Sequence, residues 1–183
     1  MTIVIDMLGV LYMNRTKRAI FLSLLVGSGL VLSIIESFIP IPFIAPGAKL
    51  GLANIVALIT VVLYGLKAGL LVSFLRTIIL ALSTGNVTAL MYSLPAAVIS
   101  TLVMFLVYKT LSKHFSLIGV SILGAIAHNI SQITVATIVM ENIMIYSYLP
   151  VMILVSLFTG YFVGLSSIFL FNNLKNNMAN AIM

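Results

Sequence analysis

Apolar residues run along this chain in six long blocks, and polar residues are confined mostly to the breaks between them. The blocks cover about residues 19–39, 50–66, 68–84, 88–108, 117–140 and 148–171. A helix that crosses a bilayer needs roughly 20 mostly apolar residues, so the pattern predicts six spanning helices. The second and third blocks are short. Only Tyr64-Gly65-Leu66-Lys67-Ala68-Gly69 separates them, which predicts a tight turn in which glycine supplies the backbone freedom. Residues 1–18 precede the first span. Their apolar part is too short to cross, and the basic run follows it rather than leading it, the reverse of a secretory signal. An interfacial or cytoplasmic segment is expected there, with Met13 as an alternative start. Residues 173–183 read as a short, disordered cytoplasmic tail.

Composition sharpens this picture. The 183 residues are 62% hydrophobic and 7% charged, against about 45–50% and about 25% in soluble domains. A water-facing surface cannot be built from such material, so the fold class is an all-α integral membrane protein and lipid is its first partner. The nine basic residues then fix orientation. With an even number of spans, Arg15, Lys17, Arg18, Lys67, Lys109, Lys113 and Lys175 all fall on one side, which predicts an N-in, C-in six-helix bundle. The net charge of +6 is therefore a topology signal, and nucleic acid is not an expected partner. The only acids are Asp6, Glu36 and Glu141, and there is no cysteine. That leaves little material for acid–base or metal-assisted chemistry. No GxxxxGK[ST] loop is present to power transport, and no aspartate-rich diphosphate motif. Neither an enzyme nor a resident cofactor or metal is expected.

Two bases, Lys49 and Arg76, sit where orientation does not require them. Arg76 lies near the middle of the third span, where a guanidinium costs roughly 3 kcal/mol or more and cannot shed its proton. Either it is tied internally, to helix carbonyls or to Glu36, or it is preorganised for a carboxylate or phosphate. His128, Asn129 and Gln132 share a face of the fifth span, which Ser121, Gly124 and Ala125 extend. That stripe reads as a close helix contact or as one wall of a binding site. The first outer loop carries Pro40, Pro42, Phe43 and Pro46, so it is stiff and apolar, and it reads as a lid over a cavity or as a rigid connector. Lys49, with Asn54 a turn or so further on, opens the second span as a plausible anion contact. Tyr92 and Ser93 lie in the outer half of the fourth span near Pro95, where the backbone is expected to open locally. Ala19, Ser23 and Gly27 repeat at four-residue spacing and would let a helix of a partner, or of this chain, approach closely.

Taken together, Lys49-Leu-Gly-Leu-Ala-Asn-Ile55, Leu75-Arg76, Tyr92-Ser93 and Gly119-Val-Ser-Ile-Leu-Gly-Ala-Ile-Ala-His-Asn-Ile-Ser-Gln132 resemble the "Gx transporter" family. Its members are often labelled heptaprenyl diphosphate synthase component I, and it looks related to the S components of energy-coupling factor (ECF) transporters. The resemblance covers about residues 15–172. It implies a six-helix substrate-binding subunit of the bacterial cytoplasmic membrane, its ligand site open to the outside and capped by the first loop. It also implies a transmembrane coupling subunit with two cytoplasmic ATPases, met through the small-residue face of the first helix. Ala19, Ser23 and Gly27 match that face loosely, with serine at the second position.

The expected function is capture of a small anionic or amphipathic molecule, such as a vitamin, flavin or prenyl precursor. Arg76, Lys49, Asn54, His128, Asn129, Gln132, Glu36 and Tyr92 form the candidate site. The alternative is a noncatalytic membrane scaffold for an isoprenoid synthase or a redox system. A scaffold would use the face around Lys67, Lys109, Lys113 and His114 and need no outward cavity.

Overall fold

A computed structural model describes residues 14–38, 51–111 and 115–180, with side chains through residue 173. The N-terminal segment before Asn14, the loop bearing Pro40, Pro42, Phe43, Pro46 and Lys49, and residues Lys113 and His114 lie outside the described residues, as does the side chain of Lys175. In chain order the helices are α1 (Arg15–Ser37), α2 (Asn54–Tyr64), α3 (Leu66–Thr84), α4 (Val87–Leu111), α5 (Leu117–Val139) and α6 (Leu149–Asn180), with a 3-10 turn, Ile143–Tyr148, before the last. No strand occurs among the described residues.

Among the described residues, five stretches are long and apolar enough to cross a membrane, and α2, at 11 residues, is a shorter apolar helix. The block read as 50–66 is trimmed from both ends by glycine. Gly51 has φ +83° and Gly65 φ +79°, a region that a side chain disfavours, so the chain enters and leaves α2 at these residues. Gly65 is the whole turn, since α3 begins at the next residue. At the other end of the chain the helix outruns the sequence expectation. α6 continues to Asn180 through the stretch read as a disordered tail, which holds no glycine or proline to stop it. Pro95 does not interrupt α4. The break in that region is confined to Gly85, left-handed at φ +67°, and to Asn86, whose side chain caps α4 by accepting from the Ala89 N–H at 2.9 Å.

Burial runs opposite to that of a soluble domain. Leu24, Leu82, Phe158, Phe162 and Phe169 are exposed, while Ser33, Thr60, Ser100, Thr101, Asn129 and Ser156 are almost fully buried. Such a surface suits lipid, and these buried polar groups find their partners within the bundle. Ser73 and Thr101 hydroxyls meet at 2.9 Å between α3 and α4, and Ser100 Oγ donates to the Gly124 carbonyl of α5 at 2.8 Å. The most extensive packing joins α5 to α6 and α4 to α5. On α6, a Cβ added to Gly160 or Gly164 would lie 2.6 Å from the Ile122 Cα or 2.5 Å from the Ile118 Cα. Two glycines four residues apart thus let the α5 and α6 backbones touch. The chain is a helical membrane protein.

Candidate functional site

The ends of α1 and α2 that the loop of residues 39–50 connects lie beside the second half of α3. Ser33 and Glu36, three residues apart, share one face of α1. They meet Gly51 and Asn54 at the start of α2, Arg76, Thr77 and Leu80 of α3, Ser93 of α4 and His128 of α5 around one cavity. Arg76 is buried, at 8% exposure, and Glu36 at 6%. Nη1 of Arg76 donates to Ser33 Oγ at 3.0 Å, and Ser33 in turn donates to the Gly29 carbonyl at 2.9 Å. The Glu36 carboxylate accepts the Gly51 N–H and also acts electrostatically on the guanidinium. The Gly51 conformation therefore does two jobs: it starts α2 and aims a backbone donor at Glu36. Thr77 turns its hydroxyl back to the Ser73 carbonyl at 2.8 Å.

Room for the arginine comes from Gly29. A Cβ there would stand 2.8 Å from Arg76 Cδ, so the stem of Arg76 crosses α1 where α1 has no side chain. Asn54 is 4% exposed, and its Nδ2 has no hydrogen-bond partner. A guanidinium carries five N–H donors and no acceptor. The site is thus rich in donors, and the one carboxylate among its described residues already serves Gly51. An acceptor-rich group, a carboxylate or a phosphate, complements it. The cavity measures about 20 Å³, room for about one water, so a larger molecule requires its walls to part.

Of the residues that the sequence singles out, Arg76, Glu36, Asn54 and His128 come together here. Gln132 and Tyr92 are buried but do not line the cavity, which Ser93 reaches in place of its neighbour. Asn129 faces α6, where its Nδ2 donates to the Met152 carbonyl at 3.1 Å and to Ser156 Oγ at 2.7 Å. Asn129→Ala is expected to cost about 1–2 kcal/mol of stability, measured by unfolding in mixed detergent, and to leave small-molecule retention unchanged. Lys49 and the four loop residues lie outside the described residues. Ser33 and Thr77 carry no signal in the sequence, because a lone hydroxyl in a membrane helix usually bonds its own preceding turn.

Ala19, Ser23 and Gly27 are exposed. Together with Leu71, Leu75 and Ile79 they border a groove of about 510 Å³ between α1 and α3.

A family model described as heptaprenyl diphosphate synthase component I matches residues 25–170. No curated protein matches the chain. Among solved structures, one described as the S component of a bacterial ECF transporter superposes with a TM-score of 0.69 at 24% identity, covering 90% of this chain and 99% of that one. At that identity the likeness establishes a shared fold.

Proposed function

The chain belongs to the heptaprenyl diphosphate synthase component I family, and from that footing we propose that it is the membrane-embedded substrate-binding subunit of an uptake system. The observation that carries this reading is the buried, donor-rich cavity of Arg76, Asn54 and His128, in a fold similar to that of an ECF transporter S component. Arg76 binds the carboxylate or phosphate of a small anionic or amphipathic molecule. Asn54 and His128 orient the remainder, with Asn129, Gln132 and Tyr92 supporting the helices behind them. Lys49 and the loop of Pro40, Pro42, Phe43 and Pro46 close over the ligand. Opening then separates the end of α1 from the start of α2, which breaks the Gly51–Glu36 hydrogen bond. With α2 as the sixth membrane segment, both termini lie in the cytoplasm of a bacterial cell, as the basic residues require. Energy comes from two partner ATPases through a transmembrane coupling subunit seated on Ala19, Ser23 and Gly27.

The family description favours one second reading, a noncatalytic membrane subunit of an isoprenoid synthase. Native mass spectrometry of gently purified protein separates the two. The binding reading expects a carboxylate- or phosphate-bearing small molecule on the wild type. On Arg76→Gln it expects occupancy reduced by tenfold or more, as loss of a charge-assisted hydrogen bond requires. A wild type that emerges empty from every preparation, but with a soluble prenyl synthase attached, sinks it.

A further inference from the structure

The groove between α1 and α3 has a feature that the small residues do not explain. Each wall is a stripe at four-residue spacing, Ala19-Ser23-Gly27 on α1 and Leu71-Leu75-Ile79 on α3. Each stripe continues one turn earlier onto an exposed cation, Arg15 on α1 and Lys67 on α3. The two helices are parallel neighbours, so both cations stand at the same mouth. Arg18 joins them there. Its guanidinium lies 5.4 Å from the centre of the Tyr64 ring, two residues before α3 begins. Among the described residues no acid lies at this end, since Glu36 and Glu141 are at the opposite one. The interior of the groove is apolar apart from Ser23. From Ala19 to Leu30 it advances about 16 Å at roughly 1.5 Å per residue, about half of a hydrocarbon core roughly 30 Å thick.

A groove one leaflet long, apolar but for Ser23 and cationic at its interfacial mouth, matches a molecule with an anionic head and one long chain. We propose that an anionic phospholipid of the leaflet facing the α1 N-terminus occupies this groove. One acyl chain lies along Gly27, and the phosphate sits among Arg15, Arg18 and Lys67. Charge selects this occupant over a helix of another protein, whose apolar length would offer nothing to the exposed Arg15 and Lys67 at the mouth. The lipid and the coupling subunit proposed above claim the same face, so docking of that subunit displaces the lipid.

Gly27 makes the test clean, because a Cβ added there meets nothing within 4 Å. A larger side chain at that position starts in open space and extends over the groove. The full chain is reconstituted with equimolar phosphatidylglycerol and phosphatidylcholine of identical chains, and lipid retention is read by native mass spectrometry. The expected result is one phosphatidylglycerol held per chain in preference to phosphatidylcholine. Gly27→Phe should lower that retention at least about tenfold by occluding the chain site. Arg15→Gln and Lys67→Gln should each cut the preference for the anionic lipid roughly fivefold. Leu24→Phe, at an exposed position outside the groove, should change neither. Equal retention of the two lipids, retention insensitive to Gly27→Phe, or a lipid-free chain would each overturn the proposal.

Discussion

Glu36→Leu is expected to destabilise the bundle by about 3 kcal/mol, because it removes the negative charge that acts on the buried Arg76 guanidinium and leaves that charge uncompensated. Arg76 is 8% exposed and stays protonated in any environment, so it has no way to discharge. The same change removes the acceptor of the Gly51 N–H and leaves a second buried group unsatisfied. Arg76→Leu is expected to cost less. Glu36 keeps its bond to the Gly51 N–H. The double variant Glu36→Leu with Arg76→Leu is expected to recover most of the Glu36→Leu loss, since two apolar side chains replace two buried opposite charges, and to keep only the cost of the Gly51 N–H left without its acceptor. Equilibrium unfolding of the four proteins in mixed detergent gives the coupling directly. Simple additivity of the two single effects would mean that the charges do not support one another. The double variant also isolates function, for it should fold and yet retain no anionic small molecule. Were it to retain one as the wild type does, the site of capture would lie elsewhere.

The sequence discloses the long helices because their blocks approach the thickness of a bilayer, and it discloses the Gly65 turn because only glycine suits the conformation there. Arg76 stands out by the cost of placing it. Rotation about a helix axis is harder to read. His128 and Asn129 are consecutive, about 100° apart on α5. That rotation sends one to the cavity and the other to Met152 and Ser156 of α6. Nothing in the order of residues says which of the two faces which neighbour, because both positions are buried and polar. The length of α2 was hidden for a related reason. Hydropathy does not register a left-handed backbone, so the apolar block seemed to run on past Gly51 toward its start. Ser33 was hidden too, since its importance comes from the guanidinium that crosses α1 beside it, and tertiary packing alone brings them together.

Gly27 and Gly29 mark the same limit from another side and lead to the second large effect. Two residues apart in one helix, they look alike in the sequence, where Gly27 drew notice for its four-residue spacing. In the bundle their surroundings are opposite. A Cβ on Gly27 meets nothing within 4 Å, whereas one on Gly29 stands 2.8 Å from Arg76 Cδ and 3.6 Å from Val56 Cβ. Gly29→Val is therefore expected to cost about 1–3 kcal/mol through overpacking. Displacing the arginine stem also breaks the 3.0 Å bond from Nη1 to Ser33, so small-molecule retention should fall about tenfold or more. Gly27→Val should leave the unfolding free energy within about 0.5 kcal/mol of wild type. The cause of the Gly29 effect can be isolated by repeating that substitution in an Arg76→Ala background. If Gly29 exists to let the arginine pass, its replacement costs little once the stem is gone. A cost that persists there would assign the glycine to the contact of α1 with Val56 instead.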